Sequence, residues 1–533
     1  MAIIINNISL GLDDGNDILL KKISKKLNIS GIREDSIKVL KESVDARKKD
    51  NIRFNYCVEV KIPGEKKLLN RLHDKDIRYE EDKKIEELVP GNKRLNSRPV
   101  VIGLGPAGLF AALLLAKQGY KPLVFERGED VDLRTKTVQS FWNGESKLNL
   151  NSNVQFGEGG AGAFSDGKLT TRIKDSRCSY VIEELIKCGA PEEIAYIGKP
   201  HVGTDILKKV VKGIREQIIE LGGTVKFNSR LEKINSKDGK LTSIIVNGVE
   251  ISCEVLILAI GHSSRDTYEM LYREGISMEA KPFAIGLRIE HPQQLINESQ
   301  YGKFANHPRL RAADYRLTYQ SENLNRGIYS FCMCPGGEVV AAASEENRLV
   351  SNGMSYHARN LENANSALVV TVSPKDFKGK SPLSGMEFQR HYEALAYKLG
   401  GGNYIAPVQL VGDFLKDKAS TKIGEVNPTY RPGYELRELK DTLPSYVAEG
   451  IKEGIINFDR KIKGYAMDDA ILTGIETRTS APVKLIRDEK LQSVSMMGVY
   501  PSGEGAGFAG GIISAAVDGM KVAEKVISEF YFK

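Results

Sequence analysis

The stretch Pro99-Val-Val-Ile-Gly-Leu-Gly-Pro-Ala-Gly108, followed by the helix-favouring run Leu109 to Ala116, reads as strand, tight turn and helix. Gly103 permits the turn, Gly105 lets the backbone approach a pyrophosphate, and Gly108 allows helix and strand to pack closely. Pro106 and Ala107 open the helix, whose N–H groups and dipole face the phosphate. A second strand, Lys121-Pro-Leu-Val-Phe125, ends at Glu126, 23 positions after Gly103. That is close to the roughly 20-residue offset at which an acid takes ribose hydroxyls. Arg127 follows, and a carboxylate at 126 argues against a 2′-phosphate in this pocket. G-x-G-x-x-G alone is common in unrelated turns; here strand, helix, second strand and acid agree on a dinucleotide site.

Almost four hundred residues later, Met496 to Tyr500 is again strand-like, and Pro501-Ser-Gly-Glu-Gly-Ala-Gly-Phe-Ala-Gly-Gly511 opens another helix. Apolar residues at Ile513, Ala516, Met520, Ala523 and Ile527 give that helix one buried stripe. Its glycines Gly503, Gly507, Gly510 and Gly511, with Ile512, bring a second helix N-terminus to the cofactor, and Glu504 is placed to hold a ribityl hydroxyl. An NAD domain has no use for such a returning segment, so the expected cofactor is FAD.

On these motifs the chain resembles the glutathione-reductase-like FAD superfamily, in which a C-terminal G-[DE] segment completes the flavin site begun by G-x-G-x-x-G. Three further runs, Val154 to Lys168, Leu256 to Asp266 and Phe331 to Gly337, are similar to bacterial proteins described as uncharacterised FAD-dependent dehydrogenases. The resemblance covers nearly the whole chain. It implies that the glycine-rich loop with Gly159, Gly160 and Lys168 lies on the flavin. It also implies that Gly261, closing the apolar run Val255 to Ile260, passes near the cofactor, and that Leu231 neighbours the adenine.

The composition, 533 residues with 41% hydrophobic and 27% charged, suits two or three domains with separate cores. The expected architecture is α/β: a small N-terminal α+β domain (1–96), a Rossmann-like FAD/NAD(P)-binding domain in two parts (97–275 and 481–533), and an inserted mixed α+β substrate domain (276–480). In the first 98 residues 22 Lys and Arg stand against 17 Asp and Glu, a surplus of five within the chain's net +7. Strands at Ile3 to Leu10, Ile37 to Ser43 and Arg53 to Lys61, with helices at Asp17 to Leu27 and Lys66 to His73, are expected there. The polar stretch Glu86 to Arg98 is the expected tie. Lys48, Lys49, Arg53, Phe54 and Tyr56 allow an aromatic-basic, nucleic-acid-binding surface. Interleaved acids favour plain solvated faces and docking onto the flavin domain or onto a second copy.

No run of about 18 apolar residues is available to span a bilayer, and the N-terminus lacks the pattern of a signal peptide, so a cytoplasmic protein is expected. Six scattered cysteines without C-x-x-C suit a reducing compartment and argue against a dithiol reductase. The seven histidines show no metal-ligand spacing, and no metal is expected. With no second Rossmann turn in context, NAD(P)H as donor would dock transiently at the flavin.

In the middle segment, Ala284 to Glu290, Gly327 to Cys332 and Glu338 to Ala343 read as strands, and Glu387 to Lys398 and Leu439 to Glu453 as helices. Cys332 and Cys334, at i and i+2 of a strand, share a face with Cα atoms roughly 6.6 Å apart, near the outer limit for an unstrained disulfide. They are a redox pair or packing residues. Lys168 holds negative charge on a reduced flavin or is a surface lysine. Arg478 meets an anionic substrate or a structural carboxylate. His262, after Gly261, is a hydrogen-bonded turn residue carried toward the cofactor. The expected function is FAD-dependent hydride transfer to or from a small organic substrate, with saturation or desaturation of a C–C bond as the first reaction to consider. The alternatives are a flavin-dependent RNA-modifying protein and a non-enzymatic flavin-binding sensor or scaffold.

Overall fold

The computed structural model describes residues 2–62, 72, 74–80 and 88–532. Five short strands form one parallel sheet in the order Val499–Pro501, Leu256–Leu258, Val100–Ile102, Leu123–Phe125, Thr224–Lys226. The inner strands Val100–Ile102 and Leu256–Leu258 are apolar on both faces because both are covered, as parallel sheets require, while the edge strand Thr224–Lys226 is partly exposed. On one face pack the helices Pro106–Lys117, Thr204–Glu220 and Ile512–Glu529. Gly519 shows how tightly: a Cβ there would lie 2.0 Å from the Ala107 carbonyl oxygen. The C-terminal strand thus inserts beside the strand of Leu256, so the glycine segments at 103–108 and 503–511 open at the same sheet edge, outside the strands' carboxyl ends. The antiparallel sheet Leu231–Lys237, Lys240–Val246, Val249–Ser252 forms the connection from the strand Thr224–Lys226 to the strand Leu256–Leu258.

The middle segment forms a seven-stranded sheet, ordered Thr318–Ser321, Arg326–Cys334, Asn363–Val372, Phe283–Pro292, Ile471–Glu476, Ala406–Leu410, Tyr434–Leu436. Every neighbour pair is antiparallel except the last. Helices Ser384–Leu399 and Ser445–Asp459 cover it. The expected helix from Leu439 to Glu453 is broken: a 3-10 turn Leu439–Thr442 ends before Pro444, and the α-helix starts at Ser445. Proline restrains the residue before it away from helical angles and tolerates only the first helical turn.

At the N-terminus a four-stranded sheet, ordered Ile37–Asp45, Arg53–Val60, Ala2–Gly11, Ile77–Glu80, carries helix Asn16–Leu27 through Leu19, Ile23 and Leu27. The expected helix at Lys66 to His73 lies outside the described residues, Leu72 excepted. This sheet is stapled to the rest at two places. Its edge strand bridges Glu42 to Ile197, with Glu42 N–H donating to the Tyr196 carbonyl at 2.7 Å and Gly198 N–H to the Glu42 carbonyl at 2.7 Å. On the other side Arg309 donates to the Leu12 and Asp14 carbonyls, each at 2.8 Å, and lies over the Phe54 ring at 4.5 Å. Of the expected tie, residues from Leu88 onward are described, and Lys93–Arg94 pairs with Phe530–Tyr531. No helix among the described residues is long and apolar enough to cross a membrane.

Candidate functional site

One cavity of about 1100 Å³ runs from the first glycine turn, past the end of the parallel sheet, to the face of the seven-stranded sheet. Gly103, Gly105, Pro106 and Ala107 line one end, with Glu126 and Arg127 beside them. Gly160, Lys168, Leu231, Gly261, Glu504, Gly510, Gly511 and Ile512 line its length. Cys332, Cys334 and Arg478 face it from the sheet above. Gly108, Gly159, Gly503 and Gly507 support the walls without lining them.

The glycines of the first turn divide by function. Gly103 has φ +93°, and a Cβ there would sit 2.3 Å from the Ala259 carbonyl oxygen; one at Gly108 would sit 1.9 Å from the Gly103 oxygen. Both are demanded by the protein's own backbone. Gly105 is different: with φ −76° its Cβ would meet nothing nearer than the Gly160 Cα at 3.8 Å, on the cavity side. The helices Pro106–Lys117 and Ile512–Glu529 both begin here without a side-chain cap. Two sets of free N–H groups therefore point into one cavity, the donor chemistry that a pyrophosphate and a flavin carbonyl require. The residues present fit FAD.

Glu126, expected as a ribose ligand, lines the cavity and also has a structural task. Its carboxylate accepts from Leu104 N–H at 2.8 Å and from Gly128 and Gly157 N–H, each at 3.0 Å, and is 4% exposed. It is first the clasp between the phosphate turn and the glycine-rich loop. Arg127 is paired with Asp266 at 2.9 Å and lies over the Phe156 ring at 4.1 Å. The glycine-rich loop is gripped by a residue the sequence did not flag. Arg134, fully buried and without an acidic hydrogen-bond partner, donates to the carbonyls of Asn153, Val154, Glu158 and Gly160 at 2.7–2.9 Å.

Lys168 is no free surface lysine: its ammonium is bound to Asp166 and to the Met333 carbonyl, tying the glycine-rich loop to the cap sheet. Asp166 also takes both Nε and Nη2 of Arg359, at 2.9 and 2.6 Å. Burial alone would raise the Asp166 carboxyl, yet Lys168 and Arg359 hold it well below the usual carboxylate range. Two cations on one carboxylate leave a net positive wall. Arg478 meets a structural carboxylate: Glu393 Oε2 at 3.2 Å, with Ser344 Oγ at 2.6 Å. Arg265, from the flavin-side helix, shares that Glu393 at 2.6 Å. The pattern Glu476-Thr-Arg478 gave no sign of this partner, 85 positions away.

Of the expectations for the two cysteines, their regular i, i+2 placement on one strand face fails on geometry. A bulge between Phe331 and Cys334 gives Cys332 a φ of +42° and breaks the alternation. Both cysteines line the cavity but are differently placed: Cys334 is buried against the Arg288 guanidinium, Cys332 is exposed, and both are free thiols. Burial pushes the Cys332 thiol up to about 12, against the pull of Arg288. His262 accepts or donates at Ser263 Oγ, 2.8 Å, and burial, with Arg478 and Arg265 adding, pushes it down to about 3, so its ring is neutral. Glu504, beneath the turn of Gly510, is pushed up to about 7 by burial, Lys281 opposing.

Phe54 and Tyr56 offer no aromatic platform: they are 2% and 7% exposed, and Phe54 lies under Arg309.

Residues 282–479 match the family model "FAD-dependent protein, C-terminal domain-like", residues 101–157 an NAD(P)-binding Rossmann-like domain, and residues 2–61 a domain of unknown function. A Clostridium beijerinckii protein, described as an uncharacterized protein, is 70% identical over 530 residues, covering 99% of each chain. Protein FixC of Escherichia coli K12 is 25% identical over 208 residues, 37% of this chain and 44% of that protein. Among solved structures, glycine oxidase from Geobacillus kaustophilus aligns over 81% of this chain and 95% of its own, with a TM-score of 0.37 and 11% identity.

Proposed function

The chain belongs to one family with the Clostridium beijerinckii protein and is an FAD-dependent oxidoreductase, from which we propose that it passes a hydride between the flavin and a small organic substrate held under the cap sheet. The observation that carries this reading is the single cavity, lined at one end by the phosphate turn and at the other by the bulged strand Arg326–Cys334. Phosphate turn and returning C-terminal segment on one pocket support the reading that the chain is related to the glutathione-reductase-like superfamily. Bound FAD supplies hydride transfer at its N5.

The protein's own groups divide the remaining work. Gly105 and the two uncapped helix starts bind phosphate and carbonyl oxygens, and Glu126 and Arg134 hold the loop they approach. The positive wall of Lys168 and Arg359 favours negative charge as electrons arrive in the cavity. Glu504 lines the cavity with its carboxyl pushed up to about 7 by burial, so it can hold or release the proton that accompanies hydride transfer to a C–C double bond. Cys332 keeps its proton and His262 stays neutral. NAD(P)H is the candidate transient donor, entering the same cavity.

The test is the visible spectrum of purified protein before and after anaerobic NADPH. Flavin bands that bleach support the reading. Bands that persist remove NADPH as donor, and protein that neither carries nor takes up FAD removes the flavin site itself.

A further inference from the structure

We propose that the substrate carries an anionic group, a carboxylate or phosphate, which Arg172 and Arg316 take at the cap-side mouth of the cavity while its apolar body lies against Tyr329 and Phe331. This rests on the flavin-and-substrate reading of the cavity and names the substrate class.

Eight cationic side chains line the cavity. Six have an ion-pair partner: Arg127 has Asp266, Lys168 and Arg359 share Asp166, Lys199 has Asp314, Arg478 has Glu393, and Arg230 has Glu232 at 3.7 Å. Arg172 and Arg316 have no ion-pair or hydrogen-bond partner among the described residues. Both are exposed on the solvent side while lining the cavity.

The chain brings them to one rim. Leu169 N–H donates to the Pro200 carbonyl at 2.9 Å, and the neighbouring Lys199 reaches Asp314 at 2.6 Å. The segments carrying Arg172 and Arg316 therefore leave from opposite sides of one Lys199–Pro200 link. Leu317 is bonded to Ser330 in both directions, N–H to Oγ at 2.8 Å and carbonyl from N–H at 2.9 Å. That fixes Arg316 beside the strand whose half-buried Tyr329 and Phe331 line the same cavity. Asp314 and Asp166, which line the same cavity, are already paired with Lys199, and with Lys168 and Arg359. What remains in the lining is an aromatic wall and two guanidinium groups without an ion-pair partner among the described residues, each offering a planar fork suited to carboxylate or phosphate.

The test uses flavin-loaded protein, Arg172→Gln, Arg316→Gln and the double variant, titrated with 3-phenylpropionate, phenyl phosphate and neutral 3-phenylpropionamide while the flavin spectrum is followed. Saturable shifts with at least one anion, none with the amide, and a Kd raised about tenfold by each substitution are expected. The better anion identifies the group. An unchanged Kd in the double variant, equal binding of the amide, or no shift with either anion overturns the proposal. So does a double variant that alters only the half-saturation for NADPH, since the donor's phosphate is then the anion held. Flavin content and bleaching are read on the same samples. Their loss in the parent protein overturns the flavin reading instead, which keeps the two failures distinct.

Discussion

Replacing Gly105 by valine separates what the fold needs from what the cofactor needs. At φ −76° and ψ −177° position 105 is extended backbone that valine favours, and its Cβ would stand 3.8 Å from the nearest atom, the Gly160 Cα. The folded protein therefore meets no clash at the Cβ, and the gain of about 0.4–1 kcal/mol from a stiffer unfolded chain offsets a cost of about 1 kcal/mol for valine at a helix N-cap, so net stability changes little. The cofactor meets the new side chain where its phosphates approach the helix start. Loss of two charge-assisted hydrogen bonds, at about 1.5–3 kcal/mol each, lowers FAD affinity roughly 10²- to 10⁴-fold. Gly108→Ala is the control: a Cβ 1.9 Å from the Gly103 oxygen forces the backbone apart, costing about 1–3 kcal/mol or more. Flavin-to-protein absorbance ratio, FAD titration and thermal unfolding read both effects. Gly105→Val purified with its full flavin complement, or unfolding as early as Gly108→Ala, would refute the reasoning.

Glu126→Ala strands three buried N–H groups, each worth about 1–3 kcal/mol, so it should lower both the unfolding temperature and the flavin content; flavin loss at unchanged stability would return Glu126 to a ribose-binding role alone. Burial raises Glu504 from 4.5 to about 7, so the stability linked to its proton is full below pH 4.5 and lost as pH rises through 7. In flavin-free protein Glu504→Gln should match the parent at pH 4.5 and exceed it at pH 8, by at most about 3 kcal/mol in urea unfolding. A difference confined to low pH would contradict that sign. Cys332, its thiol held near 12, should resist iodoacetamide at pH 7.5 despite facing the cavity, whereas rapid labelling seen by mass spectrometry would mean a thiolate the structure does not support.

The phosphate turn and the returning C-terminal segment were legible because backbone sterics dictate them locally: Gly103 and Gly108 are glycines for reasons that reach only across one strand and one helix. Two strands of the cap sheet, Phe283–Pro292 and Arg326–Cys334, were legible, while Glu338–Ala341 pairs in a separate two-stranded sheet and the other five cap strands were not read; the expected helix across Pro444 failed at a residue that itself announced the break. What could not be read were partners brought together by the fold. Arg265 and Glu393 are 128 positions apart, Arg288 and Glu476 188, and nothing in either sequence neighbourhood names the other. The cysteines misled for a related reason, since one inserted residue at a bulge reverses every side chain beyond it. Arg134 carried no signal because its ligands are main-chain carbonyls.

The two staples of the N-terminal sheet, at Glu42 and at Arg309, grip chain segments that continue directly into Lys199–Pro200 and into Asp314–Arg316, the two sides of the cavity mouth. Docking of that sheet and occupancy of the mouth are therefore thermodynamically linked. A ligand that orders the rim tightens the docking by the factor by which docking improves the ligand's affinity. A protein shortened by its first 61 residues is then a different catalyst with a looser entrance, and measurements on it would report the parent's chemistry at an altered apparent affinity.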